Sequence, residues 1–147
     1  MKISLPDVNI LLALSAEGHT HHVFARSWFA AQTDSTVAIC RVTQMGLLRL
    51  LTNPKALASG VCSIREAWDI ANEIRADRRI VFAQEPASLE QAWAGLMNHP
   101  AARHTSWTDA YLAAFAKERD YTLVTFDRGF RRWADLSLAL LPLAGRD

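Results

Sequence analysis

The sequence has few cysteines, few lysines and no long apolar run. Its two cysteines, Cys40 and Cys62, lack the spacing of a disulfide framework or a zinc ribbon, so we expect both thiols to be reduced and buried. Pro6, Asp7 and Asn9 interrupt the N-terminal apolar segment that a signal peptide requires, and no stretch reaches the ~18 apolar residues of a membrane helix. The expected location is therefore the cytoplasm, without membrane contact.

An excess of either charge is also missing. The chain has 16 Lys+Arg against 15 Asp+Glu, a net charge of +1, so no overall field directs it to nucleic acid or to anionic membranes. Disorder is excluded because 50% of the residues are hydrophobic and only 21% are charged. The length fits one domain spanning residues 1–147. A polyanionic partner must therefore be bound by a local patch of cations.

Short apolar strands alternate with helices along the chain. Strands are predicted at 3–5, 37–40, 80–83, 122–126 and 138–141. Helices are predicted at 8–14, 19–32, 43–52, 63–76, 88–97 and 106–119, with Thr43 capping the third and Ser106 or Thr108 capping the last. The strands are too short and too uniformly apolar for a sheet with one solvated face. The alternation predicts an α/β fold, a mainly parallel sheet covered by helices on both faces.

Three aspartates stand where a parallel sheet places its ligands, outside the carboxyl ends of the strands. Asp7 follows the first strand, Asp127 follows the fourth, and Asp109 lies in the first turn of the helix before that strand. Each alone is also explained as a turn or helix-start residue. Within ~4 Å of one another, each pair of carboxylates costs about 4 kcal/mol at an effective dielectric near 20, so a cluster must bind protons or a cation. Oxygen ligands favour Mg²⁺, with Mn²⁺ as the alternative, and phosphodiester hydrolysis fits this chemistry.

Several short motifs form an ordered set along the chain. They are L-P-D-V-N-I-L-L-A-L at 5–14, H-V-F-A-R-S-W at 22–28, V-T-Q-M-G-L-L-R at 42–49, N-P at 53–54, T-D-A-Y-L-A-A at 108–114 and T-F-D-R-G-F at 125–130. Each motif alone is weakly specific. The ordered set resembles the PIN-domain ribonucleases of the VapC type, the toxins of type II toxin-antitoxin systems, over nearly the whole chain.

The resemblance implies a Mg²⁺-dependent endoribonuclease that hydrolyses RNA, structured RNA such as transfer RNA in particular, with metal-activated water. The catalytic and metal-binding residues that it implies are Asp7, Asp109 and Asp127, with Asn9, Thr108 and Thr125 holding the carboxylates by hydrogen bonds. It also implies a homodimer and a small VapB-like antitoxin that neutralises the toxin.

One departure from the family pattern concerns the helix after the second strand. Many members carry a glutamate there, but this chain has no carboxylate between Asp34 and Glu66. Gln44 is a candidate neutral substitute that binds water or substrate, and it is equally explained as a helix-start residue. Arg49, which matches an arginine of the family pattern, is a candidate partner for a site carboxylate or for RNA.

Arginines also follow the last aspartate of the pattern. Arg128, with Arg131 and Arg132, is a candidate contact to RNA phosphates, and a solvated helix face explains these residues as well. Two other interpretations of the chain stay open. The first is a PIN fold with weakened catalysis that binds RNA or a protein. The second is a phospho-receiver module, although Asp7 is followed by Val8 where that class has a second acid.

Overall fold

Five parallel strands form one sheet in the computed structural model of the chain, which describes residues 2–57 and 59–145. They are β1 (Ser4–Pro6), β2 (Val37–Ile39), β3 (Ile80–Phe82), β4 (Thr122–Thr125) and β5 (Leu138–Leu140). Their spatial order is β3-β2-β1-β4-β5, so β1 lies in the centre. Ser4 is in register with Val37 on one side and with Thr122 on the other. The predicted α/β class with a parallel sheet is confirmed.

Helices provide the crossovers that parallel neighbours require. The α-helices within the described residues are α1 (Val8–Ser15), α2 (His22–Ala30), α3 (Arg41–Leu51), α4 (Ile64–Ala76), α5 (Leu89–Met97) and α6 (Trp107–Arg119). A short 3-10 helix, Arg128–Arg132, follows β4. No helix among these residues is long and apolar enough to cross a bilayer.

The start of α2 was predicted too early, at His19 instead of His22. The histidines before the helix form turns, in which the His19 amide donates to the Ala16 carbonyl and the His22 amide to the His19 carbonyl. The His19 ring supports the turn, because its Nδ1 accepts from the backbone amide of His21 at 3.0 Å. Side-chain hydrogen bonds of this local kind compete with helix formation.

One of the two predicted helix caps is wrong. Cys40, not Thr43, is the N-cap of α3, and Thr43 is the third helical residue, whose hydroxyl accepts from the Cys40 amide at 3.0 Å. Ser106 is the N-cap of α6 as predicted, although its hydroxyl accepts from the amide of Arg103 instead of a helical amide. Cys40 is buried as expected, whereas Cys62 is only partly buried.

The two faces of the sheet are covered by different helices. Alternate residues of β2 separate them, because Ala38 packs in a cluster with α6 while Val37 and Ile39 pack in another with α1, α3 and α4. Close packing brings α3 onto the first turn of α1, where a Cβ on Gly46 would lie 2.7 Å from the Val8 side chain. The first turn of α1, which follows its N-cap Asp7, is therefore packed closely against α3.

Candidate active site

Asp7 lies where the central strand ends. β1 and β4 run side by side to their carboxyl ends, with Pro6 opposite Val124, and the Asp7 amide donates to the Val124 carbonyl at 2.8 Å. Asp7 is the N-cap of α1, and its Oδ1 accepts from the Val8 amide at 2.7 Å. This position directs a buried carboxylate to the carboxyl edge of the sheet, with 9% of the residue exposed.

Thr125, at the end of β4, connects the candidate residues. Its buried hydroxyl donates to Asp7 Oδ2 at 2.9 Å, and it accepts from Asn9 Nδ2 at 3.3 Å and from the Asp127 amide at 3.0 Å. A hydroxyl has one proton and two lone pairs, so these three hydrogen bonds use its full capacity. Thr125 therefore orients the Asp7 carboxylate and the backbone that carries Asp127.

Asn9 leaves one buried oxygen without a partner. Because the single proton of Thr125 is directed at Asp7, Thr125 can only accept from Asn9, and the Asn9 amide presents its NH₂ group to it. Asn9 Oδ1 then has no hydrogen-bond partner among the described residues. An unpartnered buried acceptor costs about 1–3 kcal/mol, a cost that water or a cation can remove.

Asp109 interacts electrostatically with the other two acids. It lies in the first turn of α6, about one third exposed, and its pKa is raised to about 6 by burial, then by the negative charges of Asp7 and Asp127. The pKa of Asp7 is also raised, mainly by burial and further by Asp127, although hydrogen bonds from Thr125 and Val8 oppose the shift. Both carboxylates are therefore less stable as anions than ordinary aspartates.

Asp127 is exposed and caps the 3-10 helix. Its Oδ1 accepts from the Gly129 amide at 2.7 Å. A Cβ at Gly129 would lie 2.9 Å from that oxygen and 3.0 Å from Nη1 of Arg132, so a glycine is what allows both side chains to approach the turn.

Arg132 is a site residue that sequence reasoning named without giving it a separate role. Its Nη2 lies 3.8 Å from Asp109 Oδ2, the only ion pair of the described residues that includes one of the three aspartates. Its spacing from Asp127 resembles that of Arg131, so no sequence signal distinguishes the two arginines.

Gln44 and Thr108 make no hydrogen bond to the three aspartates among the described residues. Gln44 is buried in α3, and its Oε1 accepts from Arg41 Nη1 at 2.6 Å. Thr108 is exposed at the second position of α6, and its hydroxyl makes no hydrogen bond within the described part of the chain.

Neither Arg49 nor Arg128 is paired with one of the three aspartates among the described residues. Arg49 is exposed at the last turn of α3, where it lines an apolar groove with Trp68 and Ile64 of α4. Arg128 is partly buried, and its Nη1 donates to the carbonyls of Phe126 at 2.8 Å and Leu141 at 2.9 Å. The Arg128 guanidinium therefore ties together the chain segments that follow β4 and β5.

The donor set suits a hard divalent cation. In the described ranges, 2–57 and 59–145, no three His, Cys, Asp or Glu side chains are grouped closely enough to hold a metal ion. The aspartates thus interact without forming a closed cage of three ligands. Asp7 and Asp109, whose pKa values are raised, offer hard oxygen ligands, and Asn9, two residues after Asp7, has an unpartnered buried oxygen. Mg²⁺ and Mn²⁺ accept such a set because they retain water.

Comparison with known proteins identifies the family. The PIN domain model matches residues 4–136. Ribonuclease VapC41 of Mycobacterium tuberculosis is 40% identical over 142 residues, which cover 93% of this chain and 97% of the relative. Two solved structures share the fold. The M. tuberculosis VapC20 structure, described as a sarcin-ricin loop cleaving toxin, has a TM-score of 0.71 at 22% identity and covers 95% of this chain and 99% of its own. VapBC2 from Rickettsia felis, bound to a DNA fragment from its promoter, has a TM-score of 0.67 at 15% identity with the same coverage. The chain belongs to the PIN-domain family, within its VapC branch.

Proposed function

We propose that this chain is a divalent-metal-dependent endoribonuclease and the toxin of a toxin-antitoxin pair. The observation that carries the proposal is the electrostatic interaction of Asp109 with Asp7 at the carboxyl edge, where both carboxylates have raised pKa values. A relative that is 40% identical over most of the chain is named a ribonuclease, which supports RNA as the substrate. Structured RNA, such as transfer RNA, is the proposed substrate class.

Asp7 and Asp109 are the proposed metal-holding residues, and Mg²⁺ is the proposed ion, with Mn²⁺ as an alternative. Such an ion supplies an activated water and offsets negative charge on the phosphoryl group. Asp127 completes the acidic group from the exposed side. Thr125 keeps Asp7 in place through the 2.9 Å hydrogen bond, and Asn9 supports Thr125.

Electrostatics make a cation necessary for RNA to approach. The three aspartates repel a phosphate as they repel one another, and Arg132 offsets only one of their charges. Burial increases this repulsion, because the effective dielectric around Asp7 is lower than that of water. A bound divalent cation turns the same carboxylates from a barrier into a binding site for phosphate.

A small VapB-like antitoxin is the proposed protein partner, and a homodimer is the proposed assembly. A structural neighbour is a VapBC complex on promoter DNA, which supports an antitoxin of this type. The remaining predicted residues are proposed to act on RNA outside the ligand set, since none of them makes a hydrogen bond or ion pair with the three aspartates among the described residues. They are Gln44, Arg49, Thr108 and Arg128. The proposed compartment is the cytoplasm.

The test is cleavage of purified transfer RNA by the purified chain, with Mg²⁺ or with EDTA. We expect cleavage only with Mg²⁺, and we expect Asp7→Asn and Asp109→Asn each to lower the rate by about 10³-fold, since several kcal/mol of charge stabilisation is removed. Asp69→Asn is the matched control, because Asp69 is exposed on α4 and pairs only with Arg65. Full activity of folded Asp7→Asn and Asp109→Asn proteins contradicts the assignment.

Expression in cells separates the enzyme from the weakened fold. We expect expression of the chain alone to stop growth and co-expression of its antitoxin to restore it. Unchanged growth with soluble protein, together with RNA binding that occurs without cleavage, identifies a PIN fold that has lost catalysis.

A further inference from the structure

The guanidinium of Arg132 is held near Asp109 by Gly129 and Trp133, and it makes no close hydrogen bond to the carboxylate. We propose that Arg132 binds a backbone phosphate of the RNA next to Asp109 and so positions the substrate. This inference rests on the proposed function, and it assigns a role in substrate binding to a residue outside the ligand set.

The anchors of Arg132 do not depend on the acid. Nη1 donates to the Gly129 carbonyl at 2.7 Å, and the guanidinium carbon lies 4.0 Å from the centre of the Trp133 ring. Trp133 is itself buried and in edge contact with Phe130, with ring centres 5.7 Å apart. The guanidinium is therefore pre-positioned by a backbone oxygen and a fixed aromatic ring.

The distance between Arg132 and Asp109 is too long for a hydrogen-bonded ion pair, so this pair does not explain the position of the Arg132 guanidinium. The distance from Nη2 to Asp109 Oδ2 is 3.8 Å, whereas charge-assisted N–H to O hydrogen bonds are about 2.7–2.9 Å long. Asp77 and Arg79 show what a dedicated pair looks like in this chain, with Nε and Nη2 at 2.9 and 2.8 Å from the two carboxylate oxygens. Arg132 approaches Asp109 without engaging it in this way.

Most of the hydrogen-bonding capacity of Arg132 remains free. A guanidinium has five N–H donors in a planar fork that matches two oxygens of a phosphate. Within the described ranges, the hydrogen bond to Gly129 is the only one that Arg132 donates. About a quarter of its side chain is exposed, 23%, so part of the side chain is accessible from solvent. Arg128 differs, because its Nη1 already donates to two backbone carbonyls.

Charge explains why the ligand is a phosphate. Among the described residues, Arg132 is the one cation paired with any of the three aspartates, so it is the local side chain that can attract a phosphate alongside the bound cation. Gly129 brings Asp127 and Arg132 to the same turn, since a Cβ there would collide with both. A phosphate held by Arg132 lies directly beside the acids that are proposed to hold the ion.

The test measures RNA binding without cleavage, in Asp7→Asn protein with Mg²⁺ and a fluorescein-labelled RNA hairpin. A backbone phosphate contact carries no sequence information, so the hairpin need not be the natural target. We expect Arg132→Gln to weaken binding about 10-fold and to reduce the slope of log affinity against log salt by about 0.7. Arg131→Gln, the same charge change on an exposed neighbour, is expected to have a far smaller effect.

Two further measurements distinguish binding from a structural role. Arg132→Lys keeps the charge and the stem but not the fork, so it is expected to restore the salt slope and only part of the affinity. The second measurement is calorimetry of Mn²⁺ binding without RNA, in protein that keeps Asp7. Arg132→Gln is expected to leave the Mn²⁺ affinity unchanged or to raise it, since a positive charge beside Asp109 is removed.

Unchanged RNA affinity and salt slope in Arg132→Gln, with a change in Mn²⁺ affinity alone, overturns the proposal and makes Arg132 a counter-ion of Asp109. Equal losses of RNA affinity in Arg131→Gln and Arg132→Gln also overturn it, because the effect is then general electrostatics. Failure of the proposed function looks different, since the wild-type chain itself then fails to cleave RNA with Mg²⁺.

Discussion

Aspartates occur in opposite electrostatic states at the two edges of the sheet. At the carboxyl edge, Asp109 has a pKa raised to about 6, and its nearest cation is 3.8 Å away. At the amino edge, Asp77 ends α4 just before β3, and its pKa is lowered to about 2, chiefly by side-chain hydrogen bonds from Arg79. Arg79 also donates to the Phe29 carbonyl and lies 3.8 Å from the Phe29 ring centre.

The difference separates an acid with a built-in partner from acids that lack one. Asp77 stabilises the folded chain because its partner is built into the same turn. Asp7 and Asp109 destabilise the chain as anions, and nothing in the described residues compensates them in full. Perturbed acids that remain uncompensated are typical of functional sites. Four predictions test this contrast, from the largest expected effect to the smallest.

Asp109→Asn and Asp77→Asn are expected to have opposite effects. Asp109→Asn lowers RNA cleavage by about 10³-fold, since an ion-holding charge is lost, and it raises the free energy of unfolding at pH 7 by about 1 kcal/mol after allowance for solvent screening. Asp77→Asn leaves cleavage unchanged and lowers the free energy of unfolding by about 1–2 kcal/mol. Cleavage assays and urea titrations measure both effects. A stability loss in Asp109→Asn contradicts the comparison.

Without the metal, the raised pKa of Asp109 is expected to make the free energy of unfolding depend on pH. The metal-free chain loses stability as the pH rises from about 4 through 6, because the folded state binds the proton more tightly than the unfolded state does, whose pKa is the ordinary 3.8. Mg²⁺ at about 100 times its dissociation constant restores about 2.7 kcal/mol at pH 7.5, a rise in melting temperature of about 5–10 °C. At pH 4.5, Mg²⁺ is expected to cause no rise in the melting temperature. Thermal melts with Mg²⁺ or EDTA measure this difference in melting temperature, with Asp109→Asn as the control.

Thr125→Val is expected to lower cleavage by about 10–100-fold, since the residues that orient ligands commonly contribute that much. The valine has the same shape but leaves Asp7 Oδ2 and Asn9 Nδ2 without their partner. Thr125→Ser keeps the hydroxyl and is expected to retain most of the activity. Equal activity of the Val and Ser variants, at matched stability, removes Thr125 from the site.

Arg79→Lys is expected to have the smallest effect, a loss of about 1 kcal/mol in the free energy of unfolding with cleavage unchanged. The lysine keeps the charge beside Asp77 but loses the two-pronged hydrogen bond and the packing on Phe29. Urea unfolding measures the change. A large loss of cleavage in this variant would link the two edges, which the comparison treats as independent.

Sequence reasoning predicted the fold well because the strands and helices have strong local signals. Apolar strands between turn residues identify all the described strands, and the parallel arrangement follows from the alternation with helices. The start of α3 was missed because its N-cap is Cys40, a residue type that seldom caps helices, while Thr43 three residues later has the sequence signature.

The candidate site could be predicted only in part, because its hydrogen bonds join distant segments. Asp7, Asp109 and Asp127 could be named from their places after strands and in a helix turn. The carbonyl partners of Arg128 and the Trp133 ring beside Arg132 depend on how the chain packs after β4, which no local pattern encodes. The family pattern indicated Arg49, whose side chain lies on another surface.

The position of β1 between β2 and β4 makes the surroundings of Asp7 depend on a late part of the chain. Asp7 emerges early from the ribosome, but the Thr125 hydroxyl that holds it belongs to a residue 118 positions later. At the usual ~5–20 residues per second, that interval lasts roughly 6–24 s. A nascent or prematurely terminated chain that ends before β4 therefore contains Asp7 without the hydroxyl that orients it, so the carboxyl edge around Asp7 can form only after Thr125 has been synthesised.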